Sequence, residues 1–180
     1  MSKQKYPINI VCGVPGTGKS TIVEACLQSG AGFIALDIDW LLESANNLLS
    51  IEQPVDLRFH SKSWPAYNAL WFEVMHTYLR NGAQPVLFAP ITPEDITNLP
   101  AWCESINWHW LDCADQVLQE RLLARKWSAQ EIEDILEDAA KVRRVIASTP
   151  TATTSDTSNT TTNELVTAIS VWVTRLASAD

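Results

Sequence analysis

One stretch constrains this chain more than any other. The run Ile8-Asn9-Ile10-Val11-Cys12 leads into Gly13-Val14-Pro15-Gly16-Thr17-Gly18-Lys19-Ser20-Thr21. The first part is apolar and short enough for a buried strand; the second has the spacing G-x-x-x-x-G-K-[ST], and a helical pattern follows at once. Glycines at 13, 16 and 18 let the backbone curl so that its N–H groups converge on one centre. The helix that starts there brings roughly half a positive charge to the same place. Donors and dipole agree on phosphate, so Gly13, Val14, Pro15, Gly16, Thr17, Gly18, Lys19, Ser20 and Thr21 are the candidate nucleotide-binding residues. Lys19 is expected to reach the β- and γ-phosphates, Ser20 to ligate Mg²⁺, and Thr21 to lie beside the α-phosphate. The expected ligand is a nucleoside triphosphate, with ATP and Mg²⁺ as the working pair.

Beyond the loop the chain alternates apolar runs with helical patterns. Lys19 to Gln28 reads as a helix with Ile22, Val23, Cys26 and Leu27 on one face, stopped at Ser29-Gly30. Phe33 to Leu36 is a second strand, ending in Asp37-Ile38-Asp39, with Asp39 a plausible N-cap for the helix that begins at Trp40. Ser50 to Lys62 has no period and is the longest candidate loop. Pro65 sits at the start of a helix whose apolar set is Leu70, Val74, Met75, Tyr78 and Leu79. Pro85 to Ala89 is the third strand. Thr92-Pro93-Glu94-Asp95 starts a short helix that Pro100 stops, and Ile106 to Leu111 is the fourth strand. Asp115 to Arg125 is helical, and the capping box Ser128-Ala129-Gln130-Glu131 opens a charged helix to about Ile146. A fifth strand fits near Thr151 to Ser155, and a second capping box, Thr161 to Glu164, opens a last helix through Leu176. Strands alternating with crossover helices make a parallel sheet covered on both faces.

Length and charge bound what such a chain does. With 180 residues it suits a single domain spanning 1–180. A net charge of −8 argues against gripping a nucleic-acid backbone, so no nucleic-acid partner is expected. Cys12, Cys26, Cys103 and Cys113 show no metal-ligand spacing and are expected to be reduced and buried, in a cytoplasmic protein. No run approaches the length of a membrane span, so no membrane partner is expected.

In open parallel sheets ligands sit beyond the carboxyl ends of the strands, so Gly13, Asp37, Asp39 and Pro90-Ile91-Thr92 are expected around one crevice. If extended, Asp37 and Asp39 share one side of their strand. A carboxylate there can hold Mg²⁺ or take a proton from an attacking hydroxyl; alternatively, Asp39 only caps its helix.

Three features together resemble the P-loop small-molecule kinases, the group with nucleoside monophosphate kinases, shikimate kinase, gluconate kinase and chloramphenicol phosphotransferase. They are the early G-x-x-x-x-G-K-S-T, the acidic end of strand two, and Arg121-Leu122-Leu123-Ala124-Arg125-Lys126, similar to the R-L-x-x-R lid run of gluconate-kinase-like enzymes. Ile38-Asp39-Trp40-Leu41 is similar to the V-D-S-L segment that holds the catalytic base of the chloramphenicol enzyme, which implies that role for Asp39. Asp37-x-Asp39 resembles the D-x-D of shikimate kinase, implying Asp37 near Mg²⁺. The resemblance implies a three-layer α/β/α P-loop fold, a five-stranded parallel sheet of order 2-3-1-4-5, and a small helical lid over about 121–146. It also implies catalytic roles for Lys19, Asp39, Arg121 and Arg125. Arg121 and Arg125, four apart, share a helix face and would neutralise charge on the transferring phosphoryl group; alternatively they pair with Glu120 or Asp115.

Two departures stand out. Ala89-Pro90-Ile91-Thr92 replaces the glycine triplet of shikimate kinases, and no aspartate ends the third strand, leaving Mg²⁺ to Ser20 and Asp37. Trp40, Trp64, Trp71 and Phe72 lie where the family covers its acceptor, and core packing is the simpler reading for Trp71 and Phe72. Arg58 is a candidate for an anionic acceptor group. The expected function is an ATP-dependent phosphotransferase acting on a hydroxyl or phosphate of a small-molecule acceptor, as a monomer or homodimer. The alternative is a nucleotide-binding regulator or slow NTPase with no acceptor.

Overall fold

A computed structural model describes residues 4–48, 63–96 and 98–177. The loop expected over 50–62, with Arg58 and His60, lies outside the described residues. Element order is β1 (Tyr6–Cys12), α1 (Lys19–Ser29), β2 (Ile34–Asp37), α2 (Leu42–Leu48), α3 (Ser63–Arg80), β3 (Pro85–Ala89), β4 (Cys103–Asp112), α4 (Asp115–Ala124), α5 (Ala129–Ala147), β5 (Thr153–Asp156) and α6 (Thr162–Ala177). Short 3₁₀ turns occupy Ile38–Leu41 and Pro93–Asp95.

The five strands form one parallel sheet in the order β2-β3-β1-β4-β5, as expected. Side chains alternate between its faces. Ile8, Ile10, Cys12, Trp108 and Trp110 point to one side, under the aromatic face of α3 and the apolar edge of α5. Val11, Ala35, Val86, Phe88 and Leu111 point to the other, under α1 and α6. The central strands are apolar on both faces because both are covered. A third cluster, of Val14, Cys113, Leu118, Leu122, Ile132 and Ala139, packs α4 and α5 against the glycine-rich loop. No helix among the described residues is long and apolar enough to cross a membrane.

Several helix details differ from the sequence reading. On α3 the buried face is Trp64, Tyr67, Asn68, Trp71, Phe72, Met75 and Leu79, while Leu70 and Tyr78 are exposed. The aromatic stripe wins because each large ring buries more area than an aliphatic chain. Leu27 is exposed, so the buried face of α1 is Ile22, Val23 and Cys26 alone. The short helix after Thr92 ends at Asp95, well before Pro100, although its capping box forms. Pro65 takes the third position of α3, not the first. Both expected capping boxes are present, Ser128 with Glu131 and Thr161 with Glu164. The segment expected as a lid is anchored at both ends: Leu122 lies beneath Gly16, and Val142 and Ile146 pack on the main core.

Candidate active site

The loop between β1 and α1 is built to leave its backbone open. A Cβ on Gly13 would meet Thr17 Oγ1 at 2.5 Å and the Leu111 carbonyl oxygen at 2.7 Å, so no side chain fits between this loop and β4. At Gly16, φ is +92°, which L side chains rarely adopt, and a Cβ there would meet Leu118 at 2.7 Å. Thr17 is buried, and its hydroxyl donates to the Val14 carbonyl at 2.9 Å, pinning the turn from inside. Gly18 precedes α1 with no side-chain cap, and the first turn of that helix carries no acidic residue. Its leading N–H groups are therefore presented to whatever enters the loop, an arrangement suited to an anion.

Lys19 Nζ donates to the carbonyls of Gly13 at 2.6 Å and Val14 at 3.1 Å, so the ammonium lies across the mouth of the loop. Ser20 and Thr21 are exposed on the first turn of α1. Burial pushes the Cys12 thiol up to about 12, against the opposing pull of Lys19, so this cysteine beside the loop is an inert packing group.

Arg121 is placed differently from a solvent-facing lid arginine. Its Nη1 donates to the Gly16 carbonyl at 3.2 Å and to Thr157 Oγ1 at 3.0 Å, and its Nη2 donates to the Thr157 carbonyl at 2.6 Å. The guanidinium thus ties the glycine-rich loop to the segment after β5. Its expected alternative partners are engaged elsewhere: Asp115 accepts from Arg143 at 2.7 Å, and Glu120 accepts from Gln116 at 3.0 Å. Arg125, at the end of α4, is exposed. Both arginines line a cavity of about 360 Å³ with Gly16, Thr17, Gly18, Thr21, Thr157 and Thr162. Neither Asp37 nor Asp39 is among its lining residues.

The two aspartates sit at the carboxyl end of β2, but not on one side of an extended strand. The chain turns into a 3₁₀ helix at Ile38, so the premise that the pair alternates is not met. Asp37 is 6% exposed and its Oδ1 accepts the Asp39 backbone N–H at 3.0 Å, so Asp37, not Asp39, is the cap. In the turn Ile38 and Leu41 face inward while Asp39 and Trp40 are exposed, as the three-residue repeat requires. β3 lies between β2 and β1, which puts Asp37 about 9.6 Å, two strand spacings, to the side of the loop. Among the described residues no group of three or more His, Cys, Asp or Glu could hold a metal unaided. A Mg²⁺ ion arriving with a nucleotide would find the Ser20 hydroxyl, exposed on the first turn of α1, and phosphate oxygens as its ligands.

Arg143 is structural. Its Nε donates to both Asp112 oxygens at 3.1 and 2.9 Å, Nη1 to Asp115, and Nη2 to the Cys113 carbonyl at 2.7 Å. These bonds hold its pKa above the usual arginine value, the Asp112 hydrogen bond most of all. Trp64, Trp71 and Phe72 are core residues, and of the four aromatic candidates only Trp40 is exposed. Thr157, which the sequence reading passed over inside a Ser/Thr-rich run, is buried against Arg121. Its position just past a strand end was the only signal it offered.

No family model and no curated protein matches the chain. Solved structures do, over nearly its whole length. A protein from Chloroflexus aurantiacus provisionally named a kinase is 22% identical with a TM-score of 0.64, covering 99% of each chain. A sugar kinase from Janibacter gives 14% identity and a TM-score of 0.65, covering 96% of this chain and 95% of that one. A gluconokinase from Sinorhizobium meliloti gives 16% identity and a TM-score of 0.56, covering 98% and 97%. These likenesses establish the fold: the chain has the α/β/α P-loop architecture of small-molecule kinases.

Proposed function

We propose that the protein is a cytoplasmic kinase that transfers the γ-phosphoryl group of ATP to a small-molecule acceptor, with Mg²⁺. One arrangement carries the reading: an uncapped α1 N-terminus opening from a glycine-rich loop, with the Lys19 ammonium across its mouth and Arg121 and Arg125 lining the adjoining cavity. The kinase folds that match this chain end to end support it.

In this reading the loop N–H groups and Lys19 bind the β- and γ-phosphates, Lys19 trading its contacts with the Gly13 and Val14 carbonyls for phosphate oxygens. Ser20 holds Mg²⁺, with Asp37 reaching it only through water because β3 separates the end of β2 from the loop. When bound, the ion neutralises charge between the transferred and leaving groups. Arg125 meets the charge on the transferring group, while Arg121 keeps the loop and the Thr157 segment together as the wall of the nucleotide site. Asp39, exposed in the turn that follows β2, takes the proton from the acceptor hydroxyl.

The deciding experiment is ADP formation from Mg-ATP against a panel of sugars, polyols, sugar acids, nucleosides and nucleoside monophosphates, with Lys19→Ala as control. An acceptor that raises turnover only when Lys19 is present establishes the kinase. Tight ATP binding with a flat panel would favour a nucleotide-binding regulator instead.

A further inference from the structure

α3 carries a polar group that neither the core nor the nucleotide cavity uses. Asn68 is 3% exposed, and neither its Oδ1 nor its Nδ2 has a hydrogen-bond partner among the described residues. A buried amide in that condition has given up water and gained nothing, and native interiors hold few such groups. On the helix, Asn68 lies one turn from Trp64 and one turn from Trp71 and Phe72, all of them buried, so its amide is set in an aromatic wall. These neighbours are apolar, and the charges that act on Tyr67 beside them are the carboxylates of Asp39 and Asp37.

The preceding residue places Asn68 in the fold. The Tyr67 hydroxyl donates to the Ile38 carbonyl, and Asn68 follows Tyr67 as Asp39 follows Ile38. Burial raises the Tyr67 pKa, and the nearby charges of Asp39 and Asp37 add to that rise. The Trp71 indole N–H makes no hydrogen bond of ordinary geometry, yet it lies close enough to the same phenol to pull the other way. Residue 68 therefore stands at the carboxyl-end level of the sheet, on the turn of α3 whose Tyr67 reaches the Ile38 carbonyl just before Asp39.

We propose that Asn68 is a specificity-determining residue of the acceptor site, and that its amide hydrogen-bonds neighbouring hydroxyls of an uncharged polyhydroxylated acceptor, a neutral sugar or polyol. This rests on the kinase reading above. One hydroxyl donates to Oδ1 and the next accepts from Nδ2, a pairing that a vicinal diol satisfies with both partners of the amide. The C–H face of such a molecule packs well on indole and phenyl rings. A carboxylate or phosphate at this subsite would lose its water and face the negative charges of Asp39 and Asp37.

Two measurements test this. Asn68→Leu keeps the approximate size and removes the polar atoms, so its thermal midpoint should rise by about 3 °C. A fall of that size, or failure to fold, means the amide is already satisfied within the protein and overturns the proposal. In the ADP-formation panel, a neutral sugar or polyol should be the best acceptor. Asn68→Leu should raise its KM about tenfold, with a smaller effect on kcat and none on ATP affinity. Asn68→Ala, which adds no bulk, should show the same rise in KM. An anionic acceptor better than every neutral one, or an unchanged acceptor KM, overturns the proposal and leaves the kinase reading standing. A wild-type panel that is flat throughout counts against the kinase reading itself, and the unfolding measurement still decides whether the amide is unpaired.

Discussion

His109 makes the stability of this protein depend on pH in a calculable way. It sits on β4 with 3% of its surface exposed, its Nδ1 lying 2.8 Å from Thr153 Oγ1 and its Nε2 3.1 Å from Ser155 Oγ. Trp172 of α6 covers the ring at a centroid distance of 5.2 Å. Both hydroxyls can accept as well as donate, so protonation does not break these bonds; what it costs is the hydration of a charged ring. Burial accordingly lowers the His109 pKa from 6.5 to about 4. The unfolded chain then binds the proton more readily than the folded one, so this group's contribution is complete above pH 6.5 and declines as the pH falls toward 4. The loss works out at about 1.4 kcal/mol by pH 5.5 and about 2.5 kcal/mol by pH 4.5, from the cited shift. Carboxylates also titrate in that range, so the clean measurement is a difference. Urea unfolding of wild type and His109→Gln at about pH 7.5 and pH 4.5 should show the variant losing about 2.5 kcal/mol less across the interval. Equal losses in the two proteins, or a His109 ring that titrates between pH 6 and 7 in the folded protein by NMR, would refute the argument.

Other consequences of the geometry are open to direct measurement. Arg121→Ala removes three donor contacts that join Gly16 to Thr157; it should lower stability by about 2 kcal/mol in urea unfolding and weaken ATP binding in calorimetry. Arg121→Lys should not restore either property, because one ammonium cannot reproduce the fork. Gly13→Ala should abolish ATP binding and lower the thermal midpoint, since its Cβ would press on the backbone oxygen of Leu111 at 2.7 Å. Asp37→Asn should leave stability within about 0.5 kcal/mol because the amide oxygen can still cap the Ile38 turn, whereas Asp37→Ala should cost about 1 kcal/mol. Asp39→Asn should cut kcat by about 100-fold or more with a hydroxyl acceptor while sparing stability, and an undiminished kcat would remove its role as base.

What the sequence disclosed and what it hid divide along the range of the interactions involved. The glycine-rich loop, the five strands and the two capping boxes at Ser128 and Thr161 were legible because each is set by residues within a few positions of one another. The strand order was legible only by resemblance, since nothing local says that β3 inserts between β2 and β1. The buried face of α3 was misread because two stripes compete on that helix, and the choice between them is made by the sheet beneath. The cap at the end of β2 passed from Asp39 to Asp37 because the chain enters a 3₁₀ turn one residue earlier than an extended reading allows.

Arg121 shows the same division at the site itself. Its four-residue spacing from Arg125 is a local fact, and both arginines do line one cavity. Its partners, Gly16 and Thr157, lie 105 and 36 residues away along the chain, and no local pattern names either. That distance also separates the two arginines functionally. A guanidinium whose donors are spent on the Gly16 and Thr157 carbonyls and the Thr157 hydroxyl must give up those bonds before it can meet a phosphoryl group, while an exposed Arg125 has no such cost in the contacts described. Removing Arg125 should therefore fall mainly on kcat, and removing Arg121 mainly on nucleotide affinity and stability. The same fall in kcat for both variants, with ATP affinity intact, would mean that Arg121 leaves its bridge during turnover.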